Sequence, residues 1–229
     1  ELTYSIWLEF DETSNSALQN EVMAISIEFG GPRFTPHLTM IGDLDLPVNG
    51  VAAGIFPPGG QSCISGSRVL VHADIAEDFC NQLVNLAKKA RVGDPLDPNT
   101  HIGPMANRQH YESVLKRIEV AEAANHKLLL DGRSACRDKG YYIGPTIFAN
   151  VPNSAELAQN EVFGPVVSTE IWQNEEDVIR IANDTVYGLA AGLWSRDVVR
   201  AMRVAEQIEA GTVYINNYFN AATQSPVGG

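Results

Sequence analysis

Basic residues are scarce in this chain: 16 Lys and Arg stand against 28 Asp and Glu, for a net charge of −12. That balance argues against nucleic acid as a main partner, because phosphate binding needs clustered Lys and Arg. Long apolar runs are also lacking. None reaches the roughly 18 residues that would suggest a membrane span, so no membrane partner is expected. The N-terminus has no basic stretch followed by an apolar one, as a secretory leader would. Cysteine is sparse, at three in 229 residues, and irregularly spaced. A disulfide framework is therefore not expected; the pattern fits a reducing compartment, and a cytoplasmic protein is the expectation. There is no CxxC and no HExxH, and the five His are scattered, so no metal site is expected.

What is present is an ordinary globular composition, 45% apolar and 19% charged, in a chain long enough to bury a sizeable core. One stretch organises it: Gly59-Gly60-Gln61-Ser62-Cys63-Ile64-Ser65-Gly66-Ser67-Arg68, running into Val69-Leu70-Val71-His72. Small neighbours leave the Cys63 thiol approachable, and the apolar strand behind anchors the loop. By residue type alone Cys63 reads either as a nucleophile or as a small packing hydrophobe.

Leu2 to Phe10 alternates loosely like a strand, and Ala17 to Met23 suits a short helix. Ala24 to Phe29 reads as a strand with Ile25 and Ile27 on one face and Glu28 on the other, broken by Gly30-Gly31-Pro32. A carboxylate at that point suits a cleft, or a solvated sheet edge. Pro36 to Ile41 is a further apolar stretch. Asp43 or Asp45 is placed to cap a helix from Leu46 to Phe56. Ile75 to Ala90 is amphipathic, with Ile75, Phe79, Leu83, Leu86 and Ala90 on one stripe. Cys80 falls inside that helix and reads as packing. Cys136 falls in the polar loop Gly132 to Gly140 and suggests neither metal nor catalysis.

Further helices are predicted over Arg108–Ala124, Glu156–Asn160, Glu175–Asn183 and Val198–Ile208, the last closed by Gly211 as a C-terminal cap. Strands are predicted over Lys127–Asp131, Val166–Trp172, Ala190–Trp194 and Thr212–Ile215, with Tyr141 to Phe148 extended. Strands alternating with helices define an α/β fold with a largely parallel sheet.

Several short motifs, in order, resemble the aldehyde dehydrogenase superfamily. They are Gly60-Gln61-Ser62-Cys63 with Ser65-Gly66-Ser67-Arg68; Gly93-Asp94-Pro95; Gly103-Pro104-Met105; and Gly140-Tyr141-Tyr142-Ile143 with Pro145-Thr146. Glu161-Val162-Phe163-Gly164-Pro165, Asn183 with Tyr187-Gly188-Leu189-Ala190-Ala191-Gly192, and Gly211-Thr212-Val213-Tyr214-Ile215-Asn216 follow. The resemblance implies a three-layer αβα arrangement with a mostly parallel sheet, like the catalytic domain of aldehyde dehydrogenases. It implies oxidation of an aldehyde to a carboxylic acid through a thiohemiacetal and a thioester on Cys63, with NAD or NADP taking the hydride. Glu28, in Ile27-Glu28-Phe29-Gly30-Gly31, matches the family's general base. Glu161 matches the carboxylate that holds the nicotinamide ribose, and Phe163 the residue bordering the ring. The Cys63 backbone amide would supply an oxyanion donor.

The sequence also departs from that pattern. Glu1 to Glu28 holds no G-x-G-x-x-G turn, and Leu8-Glu9-Phe10-Asp11-Glu12-Thr13 stands where the family has Phe-Thr-Gly-Ser-Thr. After Gly30-Gly31 come Pro32-Arg33-Phe34 where the family usually has Lys. The expectation is that residues 1–28 are the remnant or end of a nucleotide-binding domain and 29–229 a catalytic domain. A homo-oligomer, or a partner supplying the nucleotide-binding domain, follows from that division. The alternatives are a cofactor-independent thiol esterase-like activity, or a non-catalytic degenerate module kept for assembly. Tyr218 and Phe219 suggest either an aromatic-lined substrate entrance or simple packing.

Overall fold

The computed structural model describes residues 44–136, 139–219 and 228, and the backbone course of residues 24–27. The strand and helix read at Leu2–Phe10 and Ala17–Met23, the apolar stretch Pro36–Ile41, and Glu28 lie outside the described residues.

Leu70 turns to one side of its strand and Val69 and Val71 to the other, and this alternation sets the layers. The strands are β1 (Ala24–Ile27), β2 (Arg68–His72), β3 (Lys127–Leu130), β4 (Thr146–Ala149), β5 (Val166–Trp172), β6 (Ala190–Leu193) and β7 (Thr212–Ile215). They form one sheet in the order β3-β4-β5-β2-β1-β6-β7. Parallel pairing joins β4 to β5, β5 to β2, and β6 to β7. β1 lies antiparallel between β2 and β6, and β3 runs antiparallel to β4. The remaining strands share one direction, so the sheet is mostly parallel, as the alternating pattern predicts.

The helices are α1 (Asp45–Ile55), α2 (Ala76–Ala87), α3 (Arg108–Ala123), α4 (Glu156–Gln159), α5 (Glu175–Asn183) and α6 (Val198–Ala205). α1 and α2 cover the face carrying Val69, Val71, Ile147 and Val167. α5 and α6 cover the opposite face over Leu70, Leu193 and Val213. α3 and α4 extend that second layer over Phe148 and Val166. The result is the three-layer αβα arrangement.

Local chemistry explains most helix starts. Asn107, Asn174 and Asp197 cap α3, α5 and α6 by accepting from the backbone N–H of His110, Asp177 and Arg200 at 2.9–3.0 Å;. α1 starts differently from expectation. Leu44 precedes it with no side-chain cap, and Asp45 is its first residue, a carboxylate facing the positive end of the helix;. Pro47 sits in the first turn, where its missing N–H leaves no bond unmade.

Two ends need correction. α2 stops at Ala87, preceded by a 3₁₀ turn over Ala73–Ile75, although Ile75, Leu86 and Ala90 still pack against the core. α6 stops at Ala205, and Gly211 is not its cap. Glu206 takes that position in right-handed geometry, and Gly211 is absent from the left-handed glycines. Gly211 instead donates its N–H to the Gly188 carbonyl at 2.9 Å.

Candidate active site

α1 is the element that delivers Cys63. The chain leaves it through Phe56, and Gly59 and Gly60 follow at φ of 64° and 65°, a left-handed pair that glycine adopts without steric cost. The Gly60 N–H returns to the Ile55 carbonyl at 2.7 Å and closes the helix end. Ser62 to Ser65 then form a turn, with the Ser65 N–H donating to the Ser62 carbonyl at 3.0 Å. The Ser65 hydroxyl accepts from the Ser62 N–H at 3.3 Å. Cys63 occupies the corner of this turn and is exposed, as its small neighbours predict. The other thiols differ. Cys80 packs within the α1–α2 layer, its Sγ 3.7 Å from the Thr169 hydroxyl, and burial raises its pKa. Cys136 is exposed after the 3₁₀ turn Gly132–Ala135.

Gly60 also brings the second loop into place. A Cβ at Gly60 would lie 1.9 Å from the carbonyl oxygen of Gly164, so the thiol loop and the 161–165 loop meet backbone to backbone. Gly164 is pressed in turn against Val114 of α3. The Pro165 carbonyl accepts from the Thr146 N–H at 2.8 Å, at the start of β4.

Within that loop Glu161 is half-buried and its Oε1 is buried without a hydrogen-bond partner. Burial alone pushes its carboxyl up to about 7, since removing a carboxylate from water disfavours the charged form. Such an oxygen fits an incoming hydroxyl donor. Phe163, two residues on, has its backbone at φ 56° and its side chain 37% exposed. The pair therefore presents an unmatched acceptor beside an accessible aromatic face, a combination that fits the ribose and ring of a nicotinamide nucleotide.

The quoted motifs converge in space. Gln61 spans the gap to the 103–105 motif, its Nε2 donating to the Pro104 carbonyl at 3.3 Å and its Oε1 accepting from the Ala106 N–H at 2.8 Å. Met105 donates to the Tyr141 carbonyl at 2.7 Å, and Gly93 to that of Ile102 at 3.0 Å. Asn183 accepts from the Glu209 N–H at 3.0 Å and donates to the Gln207 carbonyl at 2.8 Å. Tyr218 packs behind the thiol turn. Its hydroxyl donates to the Ile64 carbonyl at 2.8 Å, and its ring meets Tyr214 edge-on at 5.2 Å.

Two residues had no role in the sequence reading. His110 lies 2.7 Å from the Phe163 carbonyl through Nε2, with the two rings edge-on at 5.8 Å. Arg68, which starts β2 behind the thiol turn, is 1% exposed. Its Nη2 donates to Asn153 and, at 2.7 Å, to the Ile181 carbonyl, while Nε and Nη1 have no hydrogen-bond partner. Burial lowers its pKa to about 10 against the opposing pull of Glu170 and Asp184, so it stays charged at neutral pH. Nothing but the quoted motif could have singled out Arg68, and nothing local singles out His110.

The "Aldehyde dehydrogenase family" profile matches residues 13–229, and the chain belongs to that family. It is 42% identical over 190 residues to a betaine aldehyde dehydrogenase of Brucella anthropi, covering 82% of this chain and 39% of the relative. It is 39% identical over 206 residues to an aldehyde dehydrogenase of Enchytraeus buchholzi, covering 90% of this chain and 41% of the relative. Betaine aldehyde dehydrogenase from Staphylococcus aureus, crystallised in complex with NAD+, superimposes with a TM-score of 0.77 at 34% identity, covering 81% of this chain and 38% of that one. The chain thus spans about two fifths of the length of the relatives it matches. No helix among the described residues is long and apolar enough to cross a membrane.

Proposed function

We propose that this chain carries the catalytic portion of an NAD- or NADP-dependent aldehyde dehydrogenase, with Cys63 as nucleophile, Glu28 as general base, and Glu161 and Phe163 on the cofactor. The observation that carries the reading is the backbone contact between the Cys63 loop and the loop of Glu161 at Gly60 and Gly164. It fixes thiol and carboxylate in one frame, which catalysis by orientation requires.

Cys63 Sγ adds as thiolate to the aldehyde carbon and forms the C–S bond of a thiohemiacetal. The backbone N–H of Cys63 donates to the oxygen as charge gathers there. NAD or NADP, when bound, supplies the hydride acceptor for this reaction. Glu161, through its unmatched oxygen, and Phe163 would hold the nucleotide's ribose and ring, so both would orient rather than react. Glu28 takes a proton from the water that attacks the resulting thioester; the C–S bond breaks, the carboxylic acid leaves and the thiolate is regenerated.

Residues 1–28 are read as the end of a nucleotide-binding unit whose last strand, β1, enters the catalytic sheet. A homo-oligomer, or a partner supplying the nucleotide-binding domain, is part of the same reading. A cytoplasmic setting belongs to the same reading, because three sparse, irregularly spaced cysteines suit a reducing compartment;.

The test uses the intact protein with an aliphatic aldehyde and either nucleotide, following nucleotide reduction. Cys63→Ala is expected to abolish it while leaving thermal unfolding unchanged, because the thiol is exposed;. Limiting iodoacetamide should label Cys63 first and Cys80 last. Ester hydrolysis that needs Cys63 but no nucleotide, without any aldehyde oxidation, would replace this reading by a thiol esterase.

A further inference from the structure

Phe163 holds a backbone conformation that bulky residues rarely adopt, and such strain persists only where the surroundings over-determine it. α3 supplies those surroundings. Its first turns reach the 161–165 loop at two points: His110 Nε2 at the Phe163 carbonyl, 2.7 Å away, and Val114 beneath Gly164. His110 and Val114 are four residues apart and so lie on one face of the helix. The carbonyl only accepts, which places the proton on Nε2.

α3 is itself registered against the thiol loop. Asn107 caps it through the His110 N–H, and Gln61 holds the Ala106 N–H at 2.8 Å. Hydrogen bonds and the intervening backbone therefore link Gln61, two residues before Cys63, to the carbonyl of Phe163.

We infer that His110 is a positioning residue: by fixing the Phe163 carbonyl it sets the left-handed turn that aims Glu161 and the Phe163 ring at the nicotinamide nucleotide. The inference rests on the reading of the 161–165 loop as a cofactor contact. His110 acts through the loop, and its ring edge packs on Phe163 as well, so packing and hydrogen bonding must be separated.

Three substitutions in the intact protein do so. His110→Phe keeps a ring and removes the donor. His110→Asn keeps an amide too short to reach. His110→Gln carries its amide nitrogen as many bonds from Cα as Nε2 is. Amide hydrogen exchange across residues 161–164 without nucleotide, calorimetric titration with NAD and NADP, and the rate of Cys63 alkylation are measured on each. His110→Phe and His110→Asn are expected to exchange faster there and bind nucleotide about fivefold more weakly, the loss of one hydrogen bond. His110→Gln is expected to match the parent, with Cys63 alkylation unchanged throughout. Parental exchange in both His110→Phe and His110→Asn, or equal damage in His110→Gln, overturns the inference. If the parent protein binds neither nucleotide, the cofactor reading falls instead, and the exchange comparison still decides whether His110 sets the loop.

Discussion

Gly60 and Gly164 touch so closely that a methyl group on the first would sit 1.9 Å from the carbonyl oxygen of the second. The two loops bearing the candidate nucleophile and the candidate ribose acceptor are thus one packed unit.

Gly60→Ala meets both a positive φ of 65° and that backbone contact. A left-handed alanine costs about 1–2 kcal/mol, and forced overpacking a further 1–3 or so. A loss of about 3 kcal/mol in denaturant unfolding is expected, with aldehyde oxidation falling further than stability alone explains. Gly103→Ala is the control. Its Cβ would meet only Pro95 Cβ at 3.8 Å, and a change below about 1 kcal/mol is expected.

Glu161 gives two linked pH profiles. Its carboxyl is raised from 4.5 to about 7, so between those values the folded protein holds a proton that the unfolded chain has lost. Stability from this group is therefore full below pH 4.5 and declines as pH rises through 7. Nucleotide affinity follows the opposite course, rising as Glu161 ionises and becomes the stronger acceptor. Glu161→Gln is expected to flatten both curves and to stabilise the protein most at pH 8. Thermal melts and calorimetry at pH 5, 6, 7 and 8 check this. Identical slopes in parent and variant would count against the assignment.

Arg68 tests the support behind the thiol turn. It is buried, its Nη2 bonds to Asn153 and Ile181, and Glu170 accepts from the Asn153 N–H at 3.0 Å. Arg68→Met removes the buried guanidinium set against Glu170 and Asp184, leaving Glu170 with Arg180 alone, and a loss below the roughly 3–5 kcal/mol of a fully buried pair is expected because Asp184 is exposed;. Urea unfolding should show that loss. Adding Glu170→Gln should restore part of it, because the Glu170 charge is then removed; strict additivity would mean that the two do not interact.

Short strongly patterned elements were legible from sequence. β5, α5 and β7 fall on the ranges read from the sequence. The end of α6 was not, because periodicity reports burial rather than hydrogen bonding. Ile208 continues the apolar stripe and is 4% exposed, yet it lies beyond Ala205, in a turn that Asn183 fastens from another helix. The thiol loop was legible because glycine and small residues leave a local mark. The roles of His110 and Arg68 were not, because their partners lie 53, 85 and 113 residues away along the chain, and no local pattern encodes such pairs. Tyr218 packs against the Leu189–Tyr214 cluster and bonds the Ile64 carbonyl, while Phe219 is 38% exposed.

The Tyr218 bond also has a consequence in time. The carbonyl that closes the back of the Cys63 turn belongs to Ile64, and its donor lies 154 residues later. A growing chain displays the thiol early, but the turn gains this last fastening only after β7 has been made and Tyr218 has followed it. Nascent protein therefore carries a Cys63 turn whose fastening to Tyr218 waits on a residue made 154 positions after Ile64.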